Sequence, residues 1–210
     1  RRVLPVLERL APRLSVPISI DTRNSVVAAA AIHAGAEIIN DVTGLDGDPE
    51  MPRVAVDSGV GVCVMHMQGT PQTMQEDPKY DDVVEDVYGY LVARREFCLG
   101  IGIAEQRICL DPGIGFGKTH EHNLQLLRAT ARFTQIGTPI LIGHSRKGFI
   151  GKQLRDKQAD RTAGTLGVSL AVAAAGADVI RVHDVKPTVD ALTLFDAAGG
   201  LNATVESGPA

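Results

Sequence analysis

The chain has 210 residues, 44% of them hydrophobic and 22% charged, with a formal net charge of -4. That balance excludes a disordered chain, and the interspersed signs disfavour a nucleic-acid surface while leaving room for a local basic pocket. Three cysteines (Cys63, Cys98, Cys109) without C-x-x-C spacing argue against a disulfide framework or zinc site, and no apolar run reaches the ~18 residues of a membrane span, so a reduced, cytoplasmic protein is expected.

The start reads as the later part of an amphipathic helix, too charged for a signal peptide. A unit then recurs six times: a short apolar run, a polar residue at its end, and a helix. The runs span 16–21, 36–42, 60–67, 108–112, 139–145 and 178–184, and their lack of alternation predicts parallel strands buried on both faces. Asp48-Pro49 predicts a cap and first turn for a helix closed by Gly59. Residues 81–99 place Val83, Val84, Val87, Leu91 and Cys98 on one helical face. Further helices are predicted over 121–136 and 159–175, each ending at a glycine, and from Pro187 to Gly199-Gly200. Residues 1–200 form one expected domain, and 201–210 a C-terminal tail.

Strand–helix alternation predicts an α/β protein with a parallel sheet, without separating an open doubly wound sheet from a closed barrel. Polar residues gather where strands become loops: Asp21, Asn40, Asp111, Ser145, Arg181 and His183. Side chains two apart on a strand share a face, so Cys109 goes with Asp111, Gly143 with Ser145, and Arg181 with His183. Singly each has a plain reading. Asp21 reads as a helix cap, Lys147 as a solvated loop lysine, and Arg181 as the partner of a carboxylate such as Asp184. Six of them at successive strand ends favour one site at the C-terminal rim.

Three stretches carry most of the specificity. Leu-Asp-Pro-Gly-Ile-Gly-Phe-Gly-Lys (110–118) brings backbone and the Phe116 ring close to a flat ligand. It fails both nucleotide-loop patterns, with Pro112 and Lys118 standing where glycines belong. Lys147, in Gly-His-Ser-Arg-Lys-Gly (143–148), sits at a strand-to-helix turn suited to electron-rich or anionic groups. Arg181 and His183 make a compact anion pocket. Met65 and Met67 share a face that fits either an aromatic slot or plain core, and His66 points away from it and is set aside.

These stretches, with Ser-Ile-Asp-Thr (19–22), Ile-Ile-Asn-Asp (38–41), Val-Met-His-Met-Gln-Gly (64–69) and Met-Gln-Glu-Asp-Pro-Lys-Tyr (74–80), resemble in order the signature blocks of the dihydropteroate synthases. The resemblance implies an α/β fold, a (β/α)8 TIM barrel whose first two βα units lie ahead of residue 1. It implies a transferase of folate biosynthesis that joins 6-hydroxymethyl-7,8-dihydropterin pyrophosphate to p-aminobenzoate. Asp21, Asn40 and Asp111 would bind the pterin's donor edge, with Met65 and Phe116 lining its slot and Gly143 and Ser145 beside it. Lys147, Arg181 and His183 would be the catalytic cations, and Gly148 stands where members often carry Ser. Mg2+ would accompany the pyrophosphate, its protein ligand lying in the preceding units. A homodimer is also implied. Two alternatives share the pterin contacts: a pterin-binding methyltransferase and a non-catalytic pterin-binding domain. The first has no need of the pyrophosphate-binding cations.

Overall fold

The computed structural model describes residues 2–201 apart from 71, 72, 75 and 157, so most of the expected tail lies outside the described residues. Six parallel strands follow one another in sequence order: β1 (Ser19–Asp21), β2 (Ile38–Asp41), β3 (Gly61–Met65), β4 (Ile108–Asp111), β5 (Leu141–Ile142) and β6 (Val179–Ile180). The first four form one sheet and the last two another. A parallel bridge from Leu110 to Ile140 joins them, so each strand neighbours the next. This is the order of a (β/α)8 barrel, six strand–helix units long. Among the described residues, β1 and β6 pair on one side only.

A short helix, α1 (Leu4–Leu10), precedes β1. The crossovers are α2 (Ser25–His33), α3 (Met51–Ser58), α4 (Val83–Gly100), α5 (His120–Arg128) with α6 (Thr130–Thr134), and α7 (Gly148–Gln153) with α8 (Thr162–Ala174). A last helix, α9 (Val185–Ala197), follows β6. The expected face of α4 is the buried one: Val83, Val87, Leu91 and Cys98 all turn inward. They pack on Ile39, Val64, Leu110 and Ile142, the outward faces of the middle strands. Each such side chain contributes about 1.5–3 kcal/mol when fully buried.

Several local expectations change. Asp48 serves two helices: Oδ1 accepts the Glu50 amide at 3.0 Å just ahead of α3, and Oδ2 accepts the amide of Ser25, in the first turn of α2, at 2.8 Å. Asp21 caps nothing, because Asn24 takes the amide of Val27 and caps α2 itself. The helix expected over 121–136 breaks at Ala129, where the Thr130 hydroxyl turns back onto the Leu127 carbonyl. The last two strands are only two residues long, so Gly143, Ser145, Arg181 and His183 stand in the loops beyond them. Arg181 still donates its amide to Ile142, which carries the strand pairing one residue into the rim.

Candidate active site

Parallel register sets the floor of the site. Asp21, Asn40, Cys63 and Cys109 stand at one level of the register, and Met65 and Asp111 pair two residues higher. Asn40 Nδ2 donates to Asp21 Oδ2 at 3.1 Å. The Oδ1 of Asn40 is buried without a hydrogen-bond partner among the described residues. A buried acceptor left unmatched costs about 1–3 kcal/mol, which a donor on a ligand would recover. Asp111 is buried as well and accepts the Gly113 amide at 2.7 Å. Burial raises its pKa, opposed by that amide and by the charges of Lys147, Arg181 and Lys118.

The cations stand across the mouth from these acceptors. Phe116, Gly143, Ser145, Lys147, Arg181 and His183 line one cavity of about 350 Å3. The Lys147 ammonium lies 4.6 Å from the centre of the Phe116 ring and donates to the Ile114 carbonyl. Its pKa falls to about 8, through burial first and then the nearby Arg181 charge, with Asp111 opposing. The solvated-lysine reading of Lys147 therefore fails. Gly143 lets the Arg181 guanidinium lie flat, since a Cβ there would meet its NH2 nitrogen at 3.0 Å. Arg181 reaches Asp21 at 3.5 Å. Asp184, the carboxylate expected as its partner, is held instead by both arms of Arg146, at 3.0 and 2.6 Å. Ser145 Oγ bonds the His183 ring at 2.9 Å and accepts the His183 amide at 3.2 Å. It fixes where the imidazole points.

A second cavity of about 800 Å3, lined mainly by apolar groups, opens below and beside the first. Asp21, Asn40, Cys63, Cys109 and Arg181 all reach it, so Arg181 borders both spaces. Eight of the ten sequence-derived site residues line one cavity or the other; Asp111, 1% exposed, lines neither and is linked to them through the charges of Lys147 and Arg181. Met65 also lines neither: it is 1% exposed beneath Gly113 and, being uncharged, has no such link to the cations.

Sequence reasoning passed over two groups. His66, set aside for its direction, accepts at Nδ1 from the Lys118 ammonium at 2.9 Å. Tyr80, from a segment that had no assigned role, donates to the Gly117 carbonyl at 2.6 Å. Tyr80 lies away from any strand end, whereas His66 directly follows β3 and was passed over only for the direction of its side chain.

The arrangement reads hydrogen-bond donors on one side and negative charge on the other. Among the described residues, no group of three or more His, Cys, Asp or Glu side chains could hold a metal ion. No described helix is long and apolar enough to cross a membrane.

Known proteins fit this geometry. A family profile described as "Pterin binding enzyme" matches residues 1–183. The dihydropteroate synthase of Escherichia coli K12 is 44% identical over 197 residues, covering 94% of this chain and 70% of that protein. That of Neisseria meningitidis serogroup C is 46% identical over 201 residues, covering 94% and 71%. Among solved structures, the Stenotrophomonas maltophilia enzyme with active-site-bound imidazole superposes with a TM-score of 0.89 at 44% identity, over 100% of this chain and 77% of that one. The Xanthomonas albilineans enzyme in complex with 7,8-dihydropteroate gives 0.87 at 41% identity, over 94% and 72%.

Proposed function

The chain belongs to the pterin-binding enzymes, within them to the dihydropteroate synthases, and from that premise we propose how its residues divide the reaction. The enzyme is a transferase of folate biosynthesis. It forms the bond between the exocyclic methylene of 6-hydroxymethyl-7,8-dihydropterin and the amine of p-aminobenzoate. The C–O bond to pyrophosphate breaks with its electron pair, and the amine loses a proton.

One observation carries the assignment of roles: acceptors stand on one side of the mouth and cations on the other, with Arg181 touching both. The 2-amino and N3 edge of a pterin presents only donors, which suits Asp21, Asp111 and the unmatched Oδ1 of Asn40. The ring would lie against Phe116, with Lys147 toward its electron-rich side. Arg181 and His183 would take the pyrophosphate, whose departure is eased as its charge is matched. Ser145 would orient His183, and Gly143 would leave room for the guanidinium. No protein nucleophile is needed, because the electron-rich pterin stabilises the methylene cation as pyrophosphate leaves.

The resemblance also implies Mg2+ on the pyrophosphate. When bound, it would share the neutralisation of the leaving group with Arg181 and His183. We take residues 1–200 as one pterin-binding unit, acting in the cytoplasm as a homodimer. The measurement is pyrophosphate release with and without p-aminobenzoate, with the product identified by mass. Release that depends on p-aminobenzoate, together with dihydropteroate, is expected; pterin binding without release would leave only a binding domain.

A further inference from the structure

Lys118 is 2% exposed, and each of its three hydrogen bonds goes to an uncharged acceptor: His66 Nδ1 at 2.9 Å, His66 O at 3.4 Å and Phe116 O at 3.0 Å. A protonated amine only donates, so His66 offers its Nδ1 lone pair and carries its own proton on Nε2. Burial and the Lys118 charge hold the imidazole neutral, with its pKa near 3. Its ring meets Tyr90 edge-on, centroids 4.8 Å apart. The amine's pKa drops to about 7, through burial and then the Lys147 charge, with Asp111 opposing. The mechanism above uses neither group.

The pair sits in the seam between two loops. A Cβ on Gly113 would fall on the His66 carbonyl, and one on Gly117 on the Gln68 carbonyl, so the loops after β3 and β4 touch backbone to backbone. Three carbonyls of the glycine-rich loop are each bound by a side chain from elsewhere or from its end: Ile114 by Lys147, Phe116 by Lys118 and Gly117 by Tyr80. Phe116 and Lys147 form one wall of the smaller cavity. Lys118, bonded both to the Phe116 carbonyl and to His66, ties that wall to the β3 side, alongside the Tyr80 bond to Gly117.

We propose that Lys118, with His66 as its acceptor, is a positioning residue that sets the Phe116–Lys147 wall against the pterin. This rests on the synthase reading, and the effect reaches substrate only through Phe116 and Lys147. Losing the ammonium leaves the His66 nitrogen and the Phe116 carbonyl buried without donors, and the loop must shift to rehydrate them.

The test is the affinity of the folded protein for the pterin pyrophosphate, by calorimetry, together with kcat and KM. Wild type is measured first; absence of binding there would sink the synthase reading and this inference with it. Given wild-type binding, Lys118→Met should weaken affinity roughly tenfold to a hundredfold, with kcat changed less than KM. His66→Phe should match it, and the double variant should lose no more than either single change. His66→Asn, whose Oδ1 stands about where the imidazole Nδ1 does, should keep most of the affinity. A folded Lys118→Met with unchanged affinity would overturn the proposal. So would a His66→Phe that keeps wild-type affinity while His66→Asn loses it, which would mean that ring packing, and not the acceptor, matters. If Lys118→Met does not fold, the two His66 variants decide between these outcomes.

Discussion

The two halves of the mouth are built differently. Asn40 and Asp111 end strands whose outward side chains, Ile39, Val64 and Leu110, are wholly buried under the helices. Their carbonyls and amides are locked in ladders four and five residues long. Arg181 and His183 follow a two-residue strand. What holds that half is a short set of side-chain bonds: Ser145 to His183, Arg146 to Asp184, and His144 to the Thr165 carbonyl at 3.0 Å. The acceptor half is thus held by strand ladders, whereas the anion-binding half is held by side-chain bonds. Shape selectivity for the pterin comes with the fold, and charge matching rests on contacts that single substitutions can remove.

The largest effect should follow from damaging the acceptor half. Asp111→Asn preserves shape but replaces an acceptor by a donor facing the pterin edge, and should weaken pterin binding about 100-fold, or ~2.7 kcal/mol. Affinity within threefold of wild type would remove Asp111 from the site. Hydrogen exchange separates the halves without mutation. The amides of Val64 and Leu110 should exchange at least about a hundredfold more slowly than that of Val182, and equal rates would erase the distinction. On the anion-binding half, Ser145→Ala removes one orienting bond from His183. It should raise KM for the pterin pyrophosphate by roughly threefold to tenfold while leaving binding of the pterin alcohol unchanged. A matching loss for the alcohol would show that Ser145 acts on the pterin instead.

The smallest effect is on pH dependence. Lys118 and Lys147 titrate near 7 and 8 in the folded chain, below their usual 10.5. Between those values the unfolded chain binds more protons, so the two groups make stability rise with pH from about 7 to about 10. In Lys118→Met part of that rise should vanish, read as a flatter Tm against pH. An unchanged slope would mean that Lys118 titrates normally.

Much of the fold was legible because parallel strands buried on both faces leave continuous apolar runs, and the polar rim residue after each run was legible for the same reason. Asn40 and Asp111 could be read this way since strand pairing runs right up to them. Arg181 and His183 were named correctly as neighbours, although the strand carrying them is shorter than the apolar run around it. The second partner of Asp48 was hidden because that amide lies 23 residues earlier, and no local pattern reveals such a partner. Lys118 stayed hidden for a related reason. A lysine looks solvated in any sequence, and only the approach of two loops shows that it is enclosed.

Arg181 also has a consequence for how the two halves are joined. Its guanidinium is shared ground, resting beside Asp21 while bordering the cavity where an anion would sit. Because the same side chain borders the cavity of Asp21 and Asn40 and the cavity of Lys147 and His183, a ligand with a donor edge and a charged end would meet it between the two.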